Sequence, residues 1–320
     1  MSTSRSHLLT IALAASAALT VAPLSTLAQS PSASAPSGTS APTVTVTGAD
    51  GKPVVITDAS RIVALGGTVT EVVYALGAQD QLVGVDQSST YPAQALTDKT
   101  NIGYYRFLTA EPVLATNPTL VLGTTDAGPA EVISQIEASG VTTLILPVDS
   151  SVDGAKAKIT AIGQALGKDA AAAGLVSTLE SDLASATALV ATATSKPKVM
   201  FVLIAGPGTV LVAGSGTEAQ TMIEMAGGTN AVTGYPGYVP LTPEAALAAN
   251  PDVILTMDSG LQGIGGVDGL LALPGLAQTP AGQAKRVVSM EDQLLLGFGP
   301  RLGQGVADLA RLIHLELPQQ

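Results

Sequence analysis

Two stretches of the sequence match position for position without a gap: Thr109-Ala-Glu111-Pro-Val-Leu-Ala-Thr-Asn117-Pro118-Thr-Leu-Val-Leu122 and Thr242-Pro-Glu244-Ala-Ala-Leu-Ala-Ala-Asn250-Pro251-Asp-Val-Ile-Leu255. Each reads as a helix cap, a short helix, an Asn-Pro stop and a buried strand. Thr109 and Thr242 can cap, Pro243 suits the first helical position, and the residue before each proline is pushed out of helical geometry. A repeat of this kind restricts the chain to folds built from two related units. A weaker echo links Thr68-Val-Thr-Glu-Val-Val-Tyr-Ala-Leu-Gly77 with Glu218-Ala-Gln-Thr-Met-Ile-Glu-Met-Ala-Gly227, each a helix ending at glycine.

The flanking sequence supplies the rest of each unit. Thr43-Val-Thr-Val-Thr47 and Pro53-Val-Val-Ile56 flank Gly48-Ala-Asp-Gly51 and predict a β-hairpin. Arg61-Ile-Val-Ala-Leu65 predicts a short strand, and Thr68-Val-Thr-Glu71 reads as a capping box opening a helix over 68–76. Strands at 82–85, 120–122 and 142–146 alternate with helices at 110–116 and 129–139, the pattern of a parallel sheet covered by helices. From 153 to 193 Ala, Leu and Glu dominate, which predicts one medium helix and then a long one over about 168–193. Beyond Ser195-Lys-Pro197 the alternation resumes: strand 199–203, helix 217–226, strands 253–255 and 287–288, and an amphipathic helix over 300–316. The expected organisation is α/β, with two Rossmann-like lobes, each around a central sheet, bridged by one long helix. Lobe boundaries are expected at 43–165 and 197–320, with the connecting helix in 166–196.

The N-terminus reads as a secretory signal over 1–28: Arg5 supplies the positive charge, residues 8–21 are almost wholly apolar, and Thr26 and Ala28 suit cleavage after Ala28. The Ser/Ala/Pro run over 29–42 has nothing to bury and predicts a disordered leader. Loss of Arg5 leaves thirteen basic residues against 25 acidic ones, a net charge of −12. Such a chain is a poor binder of nucleic acid. The sequence has no cysteine, which removes disulfides and the thioether-linked lipid that tethers many exported proteins. Zinc and iron–sulfur sites built on thiolates are excluded too, so metal chemistry falls to Tyr, His, Met or carboxylates. After the signal only His314 remains, expected as a half-buried or surface side chain. With no Walker loop or nucleophile elbow, and with Gly206-Pro-Gly208 and Gly214-Ser-Gly216 reading as tight turns, an enzyme is not expected.

These residues, taken with Ile102-Gly-Tyr-Tyr-Arg106 and Gly297-Phe-Gly-Pro-Arg-Leu302, resemble the periplasmic binding proteins of ABC importers for heme, cobalamin and ferric siderophores. The resemblance covers nearly the whole chain after the leader. It implies two α/β lobes bridged by a helix with the ligand in the cleft between them, and docking onto a membrane permease and its ATPase through one glutamate per lobe, here Glu111 and Glu244. A carboxylate in a first helical turn is also favoured by the helix dipole alone.

Within that family, Gly103-Tyr104-Tyr105-Arg106 resembles the Gly-Tyr-x-Arg of the heme branch, whose tyrosine binds iron and whose arginine bonds to it. The resemblance implies heme as the transported ligand, with Tyr104 as axial ligand and Arg106 beside it. The chemistry is consistent: a phenolate ligates ferric heme, and a guanidinium favours the ionised phenol, which otherwise titrates near 10. Aligning Glu111 with Glu244 sets Gly237 opposite Tyr104, Tyr238 opposite Tyr105 and Val239 opposite Arg106, so one lobe alone supplies a tyrosine at the ligand position. Five-coordinate iron is expected, with Tyr105, Tyr235, Tyr238 and Met257 contacting the porphyrin, and Arg301 in a Gly-Pro-Arg shared with the heme branch. The expected protein is a monomeric, unanchored periplasmic carrier. A ferric siderophore or cobalamin carrier on the same lobes and glutamates is the alternative.

Overall fold

The computed structural model describes residues 43–206 and 208–319; the expected signal segment (1–28) and leader (29–42) lie outside the described residues. Strands β1 (Val44–Thr47) and β2 (Pro53–Ile56) pair antiparallel, Val44 with Ile56 through Thr47 with Pro53, as the sequence pattern predicts. Val46 and Ile56 are buried, and the turn docks on the first lobe through Ala49 N–H donating to Ile145 O at 2.8 Å.

The first lobe is a five-stranded parallel sheet in the order β5-β4-β3-β6-β7, formed by β3 (Ile62–Ala64), β4 (Leu82–Val85), β5 (Thr100–Asn101), β6 (Leu120–Thr124) and β7 (Thr142–Leu146). Its helices are α1 (Gly67–Ala75), α2 (Gln94–Asp98), α3 (Ala110–Ala115), α4 (Ala130–Ala138) and α5 (Val152–Ala165). Because helices cover both faces, the strands carry apolar runs rather than alternation, and Ile62, Val63 and Ala64 are all fully buried.

The second lobe orders its strands β11-β9-β8-β12-β13, with β10 also on β8: β8 (Lys198–Ile204), β9 (Val210–Ala213), β10 (Thr229–Asn230), β11 (Tyr238–Pro240), β12 (Val253–Met257) and β13 (Val287–Met290). β10, β8, β12 and β13 run parallel, whereas β9 lies antiparallel to both β8 and β11. The helices are α7 (Glu218–Met225), α8 (Pro243–Ala249), α9 (Asp258–Gly263), α10 (Gly266–Leu271), α11 (Pro280–Gln283), α12 (Asp292–Leu296) and α13 (Leu302–Ile313).

Between the sheets runs α6 (Asp169–Val190), 22 residues long. It packs along α5 of the first lobe and α13 of the second. Two glycines set the closeness: a Cβ on Gly163 would meet the Ala172 Cβ at 2.3 Å, and one on Gly303 would meet the Leu183 N at 2.6 Å.

The sequence repeat is structural down to single hydrogen bonds. Asn117 and Asn250 both adopt left-handed backbone, φ 49° and 46°, and turn the chain from α3 into β6 and from α8 into β12. Just beyond, Thr119 Oγ1 accepts from Arg61 N–H at 3.1 Å and Asp252 Oδ2 accepts from Lys198 N–H at 2.8 Å. Equivalent side chains thus tie the repeat strand to the strand beside it in each lobe.

Four expectations change. Thr109, expected to cap α3, makes no side-chain cap bond, whereas Thr242 caps α8. α1 begins at Gly67 with Gly66 at its cap, φ 106°, and no side chain caps it. The expected capping box does not form because Thr68 and Glu71 bind the second lobe instead. His314 is fully buried, its Nε2 donating to Ala226 O at 3.0 Å and its Nδ1 meeting Ser195 Oγ at 3.1 Å. The strands β9 and β11 carried no signal that separated them from the neighbouring glycine turns read in the sequence, of which Gly206-Pro-Gly208 lies partly outside the described residues.

Candidate functional site: the tyrosine turn and the seam between the lobes

Ile102 leaves β5 buried, and Leu108 re-enters the core six positions on. The chain between them turns outward at Gly103, φ 94°, a conformation open to glycine at little cost. A 3₁₀ turn, Tyr105–Phe107, follows, with Tyr104 preceding it and Phe107 N–H donating to Tyr104 O at 2.9 Å. Gly128 N–H donates to Tyr105 O at 2.9 Å and Leu108 N–H to Gly128 O at 2.8 Å, which ties the turn to the loop beyond β6. The turn therefore sits beyond the carboxyl ends of parallel strands, where open α/β sheets bind ligands.

Tyr104 stands between two other rings: Tyr105 edge-on with centroids 5.1 Å apart, and Phe107 tilted at 5.9 Å. Arg106 pairs with Asp126 at 2.5 Å and lies over the Tyr105 ring, 5.0 Å from its centroid. Its described partners are Asp126 and Tyr105 rather than Tyr104. Burial pushes the Tyr105 phenol well above its ordinary pKa, opposed by Arg106, so it stays protonated at neutral pH.

The second lobe presents Tyr238 on β11, its hydroxyl donating to Glu218 Oε2 at 3.1 Å and its ring 6.4 Å from Phe201. Burial first, then the Glu218 charge, raise its pKa, while the Arg106 guanidinium from the other lobe acts in the opposite sense. Tyr235 is 55% exposed, held at its carbonyl by Ser215 N–H at 2.7 Å. Met257 closes β12, half-buried, in register with Met290 of β13.

Arg301 lies in a different set of contacts. Its Nε donates to Glu71 Oε1 at 2.9 Å, a second nitrogen reaches Glu291 at 3.4 Å, and its guanidinium stacks 3.5 Å from the Tyr91 ring centroid. Glu71 also accepts from Gln293. Beside this pair lies a cavity of about 410 Å³ lined by Tyr74, Tyr91, Leu175 and Asp182 among others. Thr68 Oγ1 donates to Gly297 O at 3.0 Å, Lys158 donates to Gly297 O and Phe298 O at 3.2 and 3.3 Å, and Thr90 donates to Glu291 at 2.9 Å. Together these bonds form a polar seam joining α1, α5 and the loop after β4 of the first lobe to the Glu291–Arg301 stretch of the second. A Cβ on Gly299 would meet Thr68 Cγ2 at 2.9 Å, so glycine there lets the segments close. Burial lowers the Lys158 ammonium to about 8, with Glu71, Asp126 and Asp149 opposing.

Sequence reasoning passed over Asp126 and Lys158, and read Glu71 only as part of a helix cap. Asp126 could have been found as the acidic residue just after the repeat strand, at the ligand end of the sheet. Lys158 and Glu71 gave no such signal, because lysine and glutamate are ordinary residues of helix surfaces. Among the described residues no three His, Cys, Asp or Glu gather to hold a metal ion. Glu111 and Glu244 occupy the first turns of α3 and α8, exposed and without an ion pair among the described residues.

The family model described as "Periplasmic binding protein" matches residues 62–294, which takes in both sheets and the bridging helix. The chain belongs to that family. A solved structure of the periplasmic heme-binding protein RhuT from Roseiflexus sp. RS-1 in its apo form is 44% identical, with a TM-score of 0.78, covering 80% of this chain and 98% of that one. An uncharacterized ABC transporter substrate-binding lipoprotein, YvrC, of Bacillus subtilis is 29% identical over 82% of this chain and 86% of its own length. A cobalamin-binding protein of Halobacterium salinarum is 27% identical over 97% of this chain and 85% of its own. Among the described residues no helix is long and apolar enough to cross a membrane.

Proposed function

We propose that this protein captures heme in the periplasm and delivers it to the permease of an ABC importer. The observation that carries the reading is the Tyr104 turn: a tyrosine held by buried anchors at the ligand end of one sheet, with the second lobe offering no equivalent. The 44% identity to a structure described as a heme-binding protein supports it. Tyr104 binds iron, Tyr105, Tyr235, Tyr238 and Met257 meet the porphyrin, and Arg106, once released by Asp126, bonds to the Tyr104 phenolate. Glu111 and Glu244 dock on permease arginines. Arg301, occupied by Glu71, serves the site by holding the lobes together. The carrier acts without catalysis, as an unanchored monomer, a reading supported by the absence of cysteine in its sequence. Residues 43–165 and 197–320 make the lobes and 166–196 the bridge.

Ferric heme added to the purified protein is expected to give a tyrosinate-type high-spin spectrum that Tyr104→Ala abolishes. An unchanged free-heme spectrum overturns the reading. The Halobacterium relative supports cobalamin as a second reading, and cyanocobalamin retained through gel filtration, with heme not retained, would establish it. Reversing both docking charges, Glu111→Lys with Glu244→Lys, abolishes stimulation of the partner ATPase while heme binding stays intact; surviving transport refutes the docking role.

A further inference from the structure

The chain has three phenylalanines. Phe201 and Phe298 are 0% and 3% exposed, whereas Phe107 is 79% exposed. A folded chain this poor in aromatic residues has left one of its largest apolar side chains in water, and it has done so beside Tyr104. The two are joined geometrically as well as in sequence. In a 3₁₀ turn side chains three apart eclipse one another, the Phe107 N–H closes the turn onto Tyr104 O at 2.9 Å, and the two rings lie 5.9 Å apart at 49°. Tyr105, on the other side of Tyr104, is half-buried and turned toward Arg106. Phe107 is therefore the open end of a three-ring row whose centre is the proposed iron ligand.

We infer that Phe107 is a ligand-contact residue whose ring packs on the porphyrin bound through Tyr104. The inference rests on the heme reading above and adds a separable role. Tyr104 supplies the bond to iron, and Phe107 supplies apolar contact that does not depend on the metal. Burying an aromatic ring against a planar apolar ligand slows its departure by about ten- to a hundredfold. The same cluster of rings, with an offset or edge-on approach open to each, suits a flat macrocycle and gives little to a hydrophilic chelate.

The experiment measures heme release into excess apomyoglobin, and separately the binding of metal-free protoporphyrin IX by fluorescence. Phe107→Ala is expected to release heme about ten- to a hundredfold faster while retaining the tyrosinate-type spectrum, and to weaken the metal-free porphyrin by a similar factor. Phe107→Trp should restore both. Tyr104→Phe should lose the spectrum yet hold metal-free protoporphyrin nearly as well as the native chain. A Phe107→Ala release rate within twofold of native overturns the inference and leaves the heme reading standing. Native protein that shows only the free-heme spectrum overturns the reading beneath it. If Phe107→Ala releases heme normally but no longer stimulates the transporter ATPase, the ring belongs to the permease-facing surface and the inference is overturned as well.

Discussion

The two lobes are the same where the chain packs and different where it works. In both, a short helix ends at a left-handed asparagine, φ 49° at Asn117 and 46° at Asn250, a proline follows, and the central strand is tied to its neighbour by one side chain. They part company in the segment just before that helix. The first lobe runs from β5, parallel to β4, into the Tyr104 turn; the second runs back along β9 as β11, antiparallel, and binds Tyr238 to Glu218. Duplicated cores persist because packing constrains every buried side chain. Loops at the ligand end escape that constraint and diverge.

The largest expected break in the comparison lies in the helices that follow the first strand of each lobe. Glu71 on α1 corresponds to Thr221 on α7. Glu71→Ala leaves Arg301 without its buried partner and should destabilise the protein by about 3–5 kcal/mol in urea unfolding. Thr221→Ala, losing a 3.3 Å bond to Thr217 O, should stay within about 0.5 kcal/mol. Equal losses at the two positions would mean that the seam contributes nothing beyond helix packing.

Lys158 sharpens the same point through pH. Its folded pKa of about 8 lies below the ordinary lysine value near 10.4, so between the two the unfolded chain binds more protons. Stability should therefore rise with pH across that window, by about 3 kcal/mol in total from this group, and be lost again as pH falls through 8. Lys158→Met should flatten that rise in unfolding measured from pH 7.5 to 10.5.

At the asparagines the lobes should behave alike. Asn117→Ala and Asn250→Ala should each cost about 1 kcal/mol, because alanine has no local hydrogen bond to offset left-handed backbone, and glycine at either position should be nearly neutral. A large inequality in chemical denaturation would weaken the claim of equivalence. The helix caps should show the smallest difference. The Thr242 side chain accepts from Ala245 N–H at 3.1 Å, whereas Thr109 makes no cap bond. Thr242→Ala should cost about 1 kcal/mol and Thr109→Ala less than half that.

Much of the architecture was legible in the chain. The hairpin, the first repeat strand and β7 fall within a residue or two of their expected ends, because turn residues and apolar runs punctuate them. The small β9–β11 pair was not legible, since its residues, Val210–Ala213 and Tyr238–Pro240, are short and surrounded by glycines that read equally well as loop. The tyrosine turn was legible as a position. Its surroundings were not, since the partner of Arg106 is Asp126, twenty residues on.

What the sequence alone determined is the duplication: two copies of a short helix, an Asn-Pro stop and a strand, which local backbone chemistry dictates. Only the tertiary structure decided what the polar residues of that local code would do. Thr68 and Glu71 spell a capping box in sequence, yet a glycine begins the helix one residue earlier and both side chains cross to the other lobe, to Gly297 and Arg301. A charge buried between lobes needs its counter-charge more than a helix end in water needs its cap, and that competition is settled by distances that no local pattern encodes.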